Sequence, residues 1–163
     1  MTDAPLIDEE LEAFLQSGVS LHAASRGATN APCLMRALGC RISPDRRQVT
    51  ILLAASQCGT MLADFAQNGA IAFVASLPST HRTVQLKGTD AKAGAPQPGD
   101  EALADRQRAA FRDVLTSMGY DRAMPLALTG GDWSDVVAVT FTPTSAFVQT
   151  PGPGAGAALA RRP

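Results

Sequence analysis

The chain has 163 residues, 45% of them hydrophobic and 5% aromatic, and a net charge of −1. That length suits one domain with its own core. Near-neutral charge and few aromatics argue against a nucleic-acid partner, an anionic membrane surface or a base-stacking platform.

The first element predicted is a helix over residues 6–18. Ile7, Leu11, Phe14 and Leu15 share one face, and Gly18 suits its end. Residues 19–25 read as a strand, followed by a turn at "RGATN". Residues 31–42 read as one longer strand, ended by "SPDRR", where Pro44 suits a type I turn. "QVTILLA" is strand-like and β-branched. Residues 56–69 change period: Met61, Leu62, Phe65 and Ala66 fit a short helix with Ser56 as its N-cap.

"AIAFVAS" is apolar on both faces and suits a central strand. In "RTVQLKGTDAK", Thr83, Gln85, Lys87 and Thr89 face one way, and Val84 and Leu86 the other. "AGAPQPG" is a loop. The longest helix follows at about residues 100–118, with Leu103, Phe111, Val114, Leu115 and Met118 as its apolar stripe. "YDRAMPLALTGGDWSD" has no clear period, and "VVAVTFTP" and "SAFVQT" read as the last strands. The count is six or seven strands, mostly in adjacent pairs, with three helices. That predicts a mainly β fold with appended helices, an antiparallel sheet or barrel and not a doubly wound one. Residues 1–150 form the expected single domain, and 151–163 a Pro/Gly/Ala-rich, irregular tail.

Three cysteines without a CxxC pair exclude a disulfide framework or a zinc site as the expected reading. His22 and His81, the only histidines, form no metal-binding spacing, so no metal is expected. Cys58, near a helix start, reads as a small buried residue before it reads as a reactive thiolate. There is no leader-like opening and no apolar run of about 18 residues, so no membrane partner and a cytoplasmic location are expected.

The basic residues in strands carry more information. Arg36, Arg41, Arg82 and Lys87 stand where a sheet surface is usually apolar or neutral. Edge protection and snorkelling stems are the plain readings. An anion site is the functional one, since a guanidinium holds phosphate through two parallel hydrogen bonds. Residues five apart on a strand face opposite ways. A bulge at Gly39 would return Arg36 and Arg41 to one side.

Over residues 5–90 the order of motifs resembles the FMN-binding split-barrel proteins related to pyridoxamine 5′-phosphate oxidase. Pro32, Arg36 and Arg41 match a strand carrying an Arg and, five residues on, a second basic residue. By that resemblance these cations approach a flavin, and the Ala37–Leu38 backbone passes its ring. Ser56-Gln57-Cys58-Gly59 stands in place of the family's Ser-Arg-Lys-Gly-like phosphate turn. "RTVQLKG" stands in place of Arg-Gln-Val-Arg-x-Glu-Gly, so Arg82 matches its first Arg and Thr83 replaces the Gln. The resemblance implies FMN, held by Arg36, Ala37, Leu38, Arg41, Ser56, Gln57, Arg82 and Thr83. It also implies an FMN-type split barrel, a homodimer with the cofactor at the subunit interface, and flavin-dependent oxidoreductase chemistry.

The chain departs from the family in two places. Gln57-Cys58 lacks two positive charges. A charge-assisted hydrogen bond is worth about 1.5–3 kcal/mol, so the loss weakens phosphate binding by roughly a hundredfold to ten-thousandfold. Trp133 and the terminal "ARRP" lack the late Trp and Arg-Leu-x-Pro-like ending of true pyridoxamine phosphate oxidases. Pyridoxamine phosphate is therefore not the expected substrate, and no catalytic side chain is nominated. The alternatives are a non-catalytic binder of flavin, deazaflavin or haem, with His22 or His81 to be tested as a haem ligand, and a cofactor-free member.

Overall fold

The computed structural model describes residues 4–160. Helix α1, Glu9–Leu15, is opened by Asp8, whose side chain accepts from the Leu11 N–H at 2.8 Å. Strands β1, Ser20–Arg26, and β2, Pro32–Arg36, follow, then β3, Gly39–Ile42, and β4, Val49–Ala54. A short 3-10 turn, Ala55–Gln57, leads to α2, Gly59–Asn68. Then come β5, Ile71–Ser76, β6, Thr83–Gly88, and β7, Lys92–Gly94. Helices α3, Asp100–Ser117, and α4, Ala123–Thr129, precede a second 3-10 turn, Trp133–Asp135, and strands β8, Val136–Phe141, and β9, Ser145–Val148.

The strands form two antiparallel sheets, in orders β2-β1-β5-β6-β9 and β3-β4-β8-β7. Their inner faces meet in one apolar core that includes Phe73, Ile51, Leu53, Leu86, Val139 and Phe141, each at most 1% exposed. Alternation places these side chains: β1, β5 and β6 bury every second residue, as a sheet with one wet face must. The mainly β class with appended helices and antiparallel strands is the fold observed.

The described residues form nine strands and four helices where six or seven and three were expected, β7 runs into what reads as the loop at residues 93–99, and other details differ from the sequence reading. Residues 31–42 are not one strand with a bulge at Gly39. The chain leaves the first sheet after Arg36, crosses at Ala37–Leu38, and enters the second sheet at Gly39. The unassigned segment before Trp133 contains α4. Cys58, not Ser56, occupies the N-cap of α2, and its side chain makes no capping bond. The buried face of α3 is Asp100, Ala104, Gln107, Phe111 and Leu115, while Met118 is exposed. Two polar residues lie in that stripe because each has a hydrogen-bond partner, described below. In residues 151–160, turns and one bridge, Phe147 to Ala158, return the chain to β9.

Candidate functional site

The crossing between the sheets separates the two arginines of the "PCLMRALGCR" stretch. Arg36 ends β2 opposite His22. Its Nη1 donates to Ser20 Oγ at 2.9 Å, and its guanidinium lies 5.5 Å from the centre of the Phe111 ring. Arg41 lies in β3, where its Nε donates to Asp100 Oδ1 at 2.7 Å. Asp100 is 1% exposed, and its second oxygen accepts the Gln97 N–H at 2.8 Å. A buried carboxylate needs such partners, so Arg41 is committed to holding the start of α3. Ala37 and Leu38 donate their N–H groups to Leu21 O and Leu52 O, at 2.9 and 2.8 Å.

Helix α3 lies along the open edge of β3. Gln107 Oε1 accepts the Cys40 N–H at 2.8 Å, and Gln107 Nε2 donates to Cys40 O at 2.7 Å. One side chain thus pairs both backbone groups that an edge strand leaves unmet. The approach needs glycine: a Cβ on Gly39 would lie 2.9 Å from Gln107 Oε1 and 3.0 Å from Ala104 Cα. Arg36, Ala37, Leu38, Gln107, Arg108 and Phe111 border a cavity of about 20 Å³. That is room for about one water and not for a cofactor.

The second predicted element, the turn before α2, is folded as a turn, but its anion acceptor is internal. Ser56 donates its N–H to Asp135 Oδ1 at 2.9 Å and its hydroxyl to Asp135 Oδ2 at 2.5 Å. Gln57 is exposed beside it. Burial pushes the Cys58 thiol pKa up, and its Sγ faces Ala55 O at 3.7 Å. A raised thiol pKa is the opposite of an activated nucleophile.

Arg82 is also engaged. It pairs with Glu10 at 2.9 Å and lies 4.4 Å from the centre of the Phe14 ring. Thr83 stands on the outward face of the five-stranded sheet, where its hydroxyl shares a 2.7 Å hydrogen bond with Ser76. Ser76 is the cross-strand partner of Ser20, which holds Arg36. Ser20, Ser76 and Thr83 therefore form a polar row across β1, β5 and β6, and Arg36, which by register heads the next row opposite His22, reaches diagonally to it. The next row is His22, Val74, Gln85 and Phe147. These outward side chains are partly exposed, and Leu34 at the β2 edge is 67% exposed. Burial, and then the charge of Arg36, lower the pKa of His22. His81 sits in a turn with φ 60°.

Of the eight residues expected at the site, the structure brings Arg36, Ala37 and Leu38 together at the crossing and sets Thr83 on the same sheet face as Arg36. Arg41, Ser56 and Arg82 each face a carboxylate. Sequence reasoning did not foresee Asp100, Gln107 and Asp135. Asp100 reads as a solvated helix start and Gln107 as a polar face residue, while Asp135 falls in the segment without a period. Asp100 and Gln107 carried one signal: both fall on the same helical stripe as Ala104, Phe111 and Leu115.

No protein-family model matches the sequence, and no curated protein matches it. Solved structures do. HupZ of Group A Streptococcus aligns with a TM-score of 0.54 at 15% identity, over 92% of this chain and 99% of that one. A protein designated a candidate pyridoxamine 5′-phosphate oxidase from Lactobacillus delbrueckii aligns with a TM-score of 0.54 at 13% identity, over 90% and 97%. An F420 reductase aligns with a TM-score of 0.53 at 18% identity, over 86% and 98%. The fold is a split barrel built from two antiparallel sheets. It is the fold of the pyridoxamine 5′-phosphate oxidase-like proteins, as the order of sequence motifs implied. Among the described residues there is no cluster of three or more His, Cys, Asp or Glu fit for a metal, and no helix long and apolar enough to cross a membrane.

Proposed function

We propose that this chain binds a flavin-type cofactor on the outward face of the five-stranded sheet, next to the Ala37–Leu38 crossing, and dimerises through that face. The observation that carries the reading is the polar path from Arg36 through Ser20 and Ser76 to Thr83. It unites two residues 47 positions apart, which the family resemblance had assigned to one cofactor, on a face open to solvent. The fit differs between the two ends of the ligand. The sheet face offers a flat platform of Val74, His22 and Gln85 for a ring. The phosphate end has Arg36, while Arg41 and the Ser56 turn are already engaged by Asp100 and Asp135. A bound flavin would supply hydride chemistry, and the protein would supply position and charge.

FMN titration of the purified chain, followed by visible absorption, tests the reading. Arg36→Ala is expected to weaken binding by about tenfold or more, the loss of one charge-assisted contact. Equal affinity in the variant removes Arg36 from the site. Reduction of the bound flavin by NADH or NADPH supports an oxidoreductase, and inert bound flavin supports a carrier or sensor.

The Ser56–Asp135 contact favours a second reading, in which the chain holds an uncharged flavin or has lost its cofactor. Riboflavin binding as tightly as FMN supports the uncharged ligand. Binding of neither supports the cofactor-free form.

A further inference from the structure

We propose that a groove over the Ala24–Ala72 pair, flanked by Arg26 and Lys87, is a second binding site for a small anion with a flat apolar body, such as an aromatic carboxylate, sulfonate or phosphate ester. The groove lies at the far end of β1 from Ser20. Its volume is about 440 Å³, within the range of about 300–1,000 Å³ typical of small-molecule sites. It exists because small residues meet in register. Ala24 faces Ala72, and Ala72 faces Lys87, so the middle of the row carries only methyl groups. Ala70 and Gly88 also line it.

Both cations have free charge. Lys87 extends over the Phe147 ring, 5.1 Å from its centre, and Arg26 donates Nη1 to the neutral Asn30 Oδ1 at 3.0 Å. Neither forms an ion pair among the described residues. Edge protection does not account for Lys87, because β6 lies between β5 and β9 inside the sheet. Thr89, Thr144 and Ser145 add hydroxyls to one rim. The carboxylates tied to this region are engaged elsewhere: Asp64 accepts the Ser25 hydroxyl at 2.6 Å, and Asp90 accepts the Thr142 N–H at 2.8 Å. Apolar floor, two cations and a hydroxyl rim define the ligand: a flat body lies on the alanines while its anionic group meets Lys87 and Arg26. Arg26 is four residues along β1 from His22, the partner of Arg36, or about 13 Å. The groove lies on the same outward face, in the row next to the His22, Val74 and Gln85 platform, and is argued from its own residues.

Fluorescence titration of the full chain with 1-anilinonaphthalene-8-sulfonate tests the proposal. One saturable site is expected. Lys87→Gln should weaken it by about tenfold, and Lys87→Arg should retain it. Ala72→Leu should fill the floor and remove binding, with circular dichroism confirming the fold. Arg36→Ala should leave the affinity unchanged. Equal affinity in Lys87→Gln and the parent chain, or a larger loss in Arg36→Ala, would overturn the assignment. Inorganic phosphate should compete only weakly; competition as strong as that of the aromatic sulfonate would overturn the role of the alanine floor.

Discussion

Ser56 gives both its backbone N–H and its hydroxyl to the carboxylate of Asp135, at 2.9 and 2.5 Å. A carboxylate from the turn before β8 thus takes both donors of a residue in the turn that the sequence resemblance matched to a phosphate-binding one. Like charge and lost donors both oppose a second anion there.

The first prediction follows from that contact. Asp135→Asn removes the negative charge and keeps the side-chain shape. FMN affinity is expected to rise relative to riboflavin affinity by about tenfold, the worth of one charged contact. Parallel titrations with the two ligands measure the ratio. An unchanged ratio would mean that this turn never faces the phosphate.

Gln107 bears on stability. Gln107→Ala removes both hydrogen bonds to Cys40 and leaves a buried N–H and C=O unmet, at a cost of about 2–4 kcal/mol. A lower urea midpoint with an unchanged slope is the expected result. Gly39→Ala should be damaging for a different reason, since the new methyl collides with the Ala104 backbone.

His22 sets a pH dependence. Its folded pKa lies below the ordinary value of 6.5, first through burial and then through Arg36. Between those two values the unfolded chain binds the proton and the folded chain does not. This contribution to stability is complete above about pH 6.5 and is lost as the pH falls through the window below it. His22→Gln should flatten that part of the stability profile measured by denaturant unfolding from pH 7 to 5. An unaltered slope would place the titration elsewhere.

The cysteines should separate by accessibility. Burial pushes the Cys40 thiol up to about 12 and raises that of Cys58, whereas Cys33 is partly exposed. A disulfide reagent is therefore expected to modify one thiol rapidly in the native chain and all three after unfolding. Peptide mapping should locate the fast site at Cys33. Rapid loss of the Cys40 thiol would show that α3 opens from β3.

The proposed dimer makes a separate prediction. Val74 sits mid-row on the outward face, between His22 and Gln85. Val74→Glu puts a charge at the centre of the proposed interface and should yield a monomer by light scattering. A monomeric parent chain would remove the dimer from the proposal.

Most elements were legible because they rest on local periods. The alternation in "RTVQLKG" gave faces that the sheet uses, the apolar run "AIAFVAS" gave a central strand, and Phe111 and Leu115 marked the buried side of α3. The split of residues 31–42 was not legible. A strand that leaves one sheet for another keeps its apolar pattern throughout, so no period marks the crossing.

By itself, the sequence determined most of the strands and helices and the β class with appended helices. Only the tertiary structure decided what those cations meet. Arg41 finds Asp100 across 59 positions, and Ser56 finds Asp135 across 79. Such pairs depend on where two sheets and a docked helix bring the chain together. A carboxylate at a helix start or in a loop has the same local sequence signature whether it faces water or an arginine. Burial of Asp100 at the start of α3, fixed by the packing of that helix against β3, far from it in sequence, made it a partner.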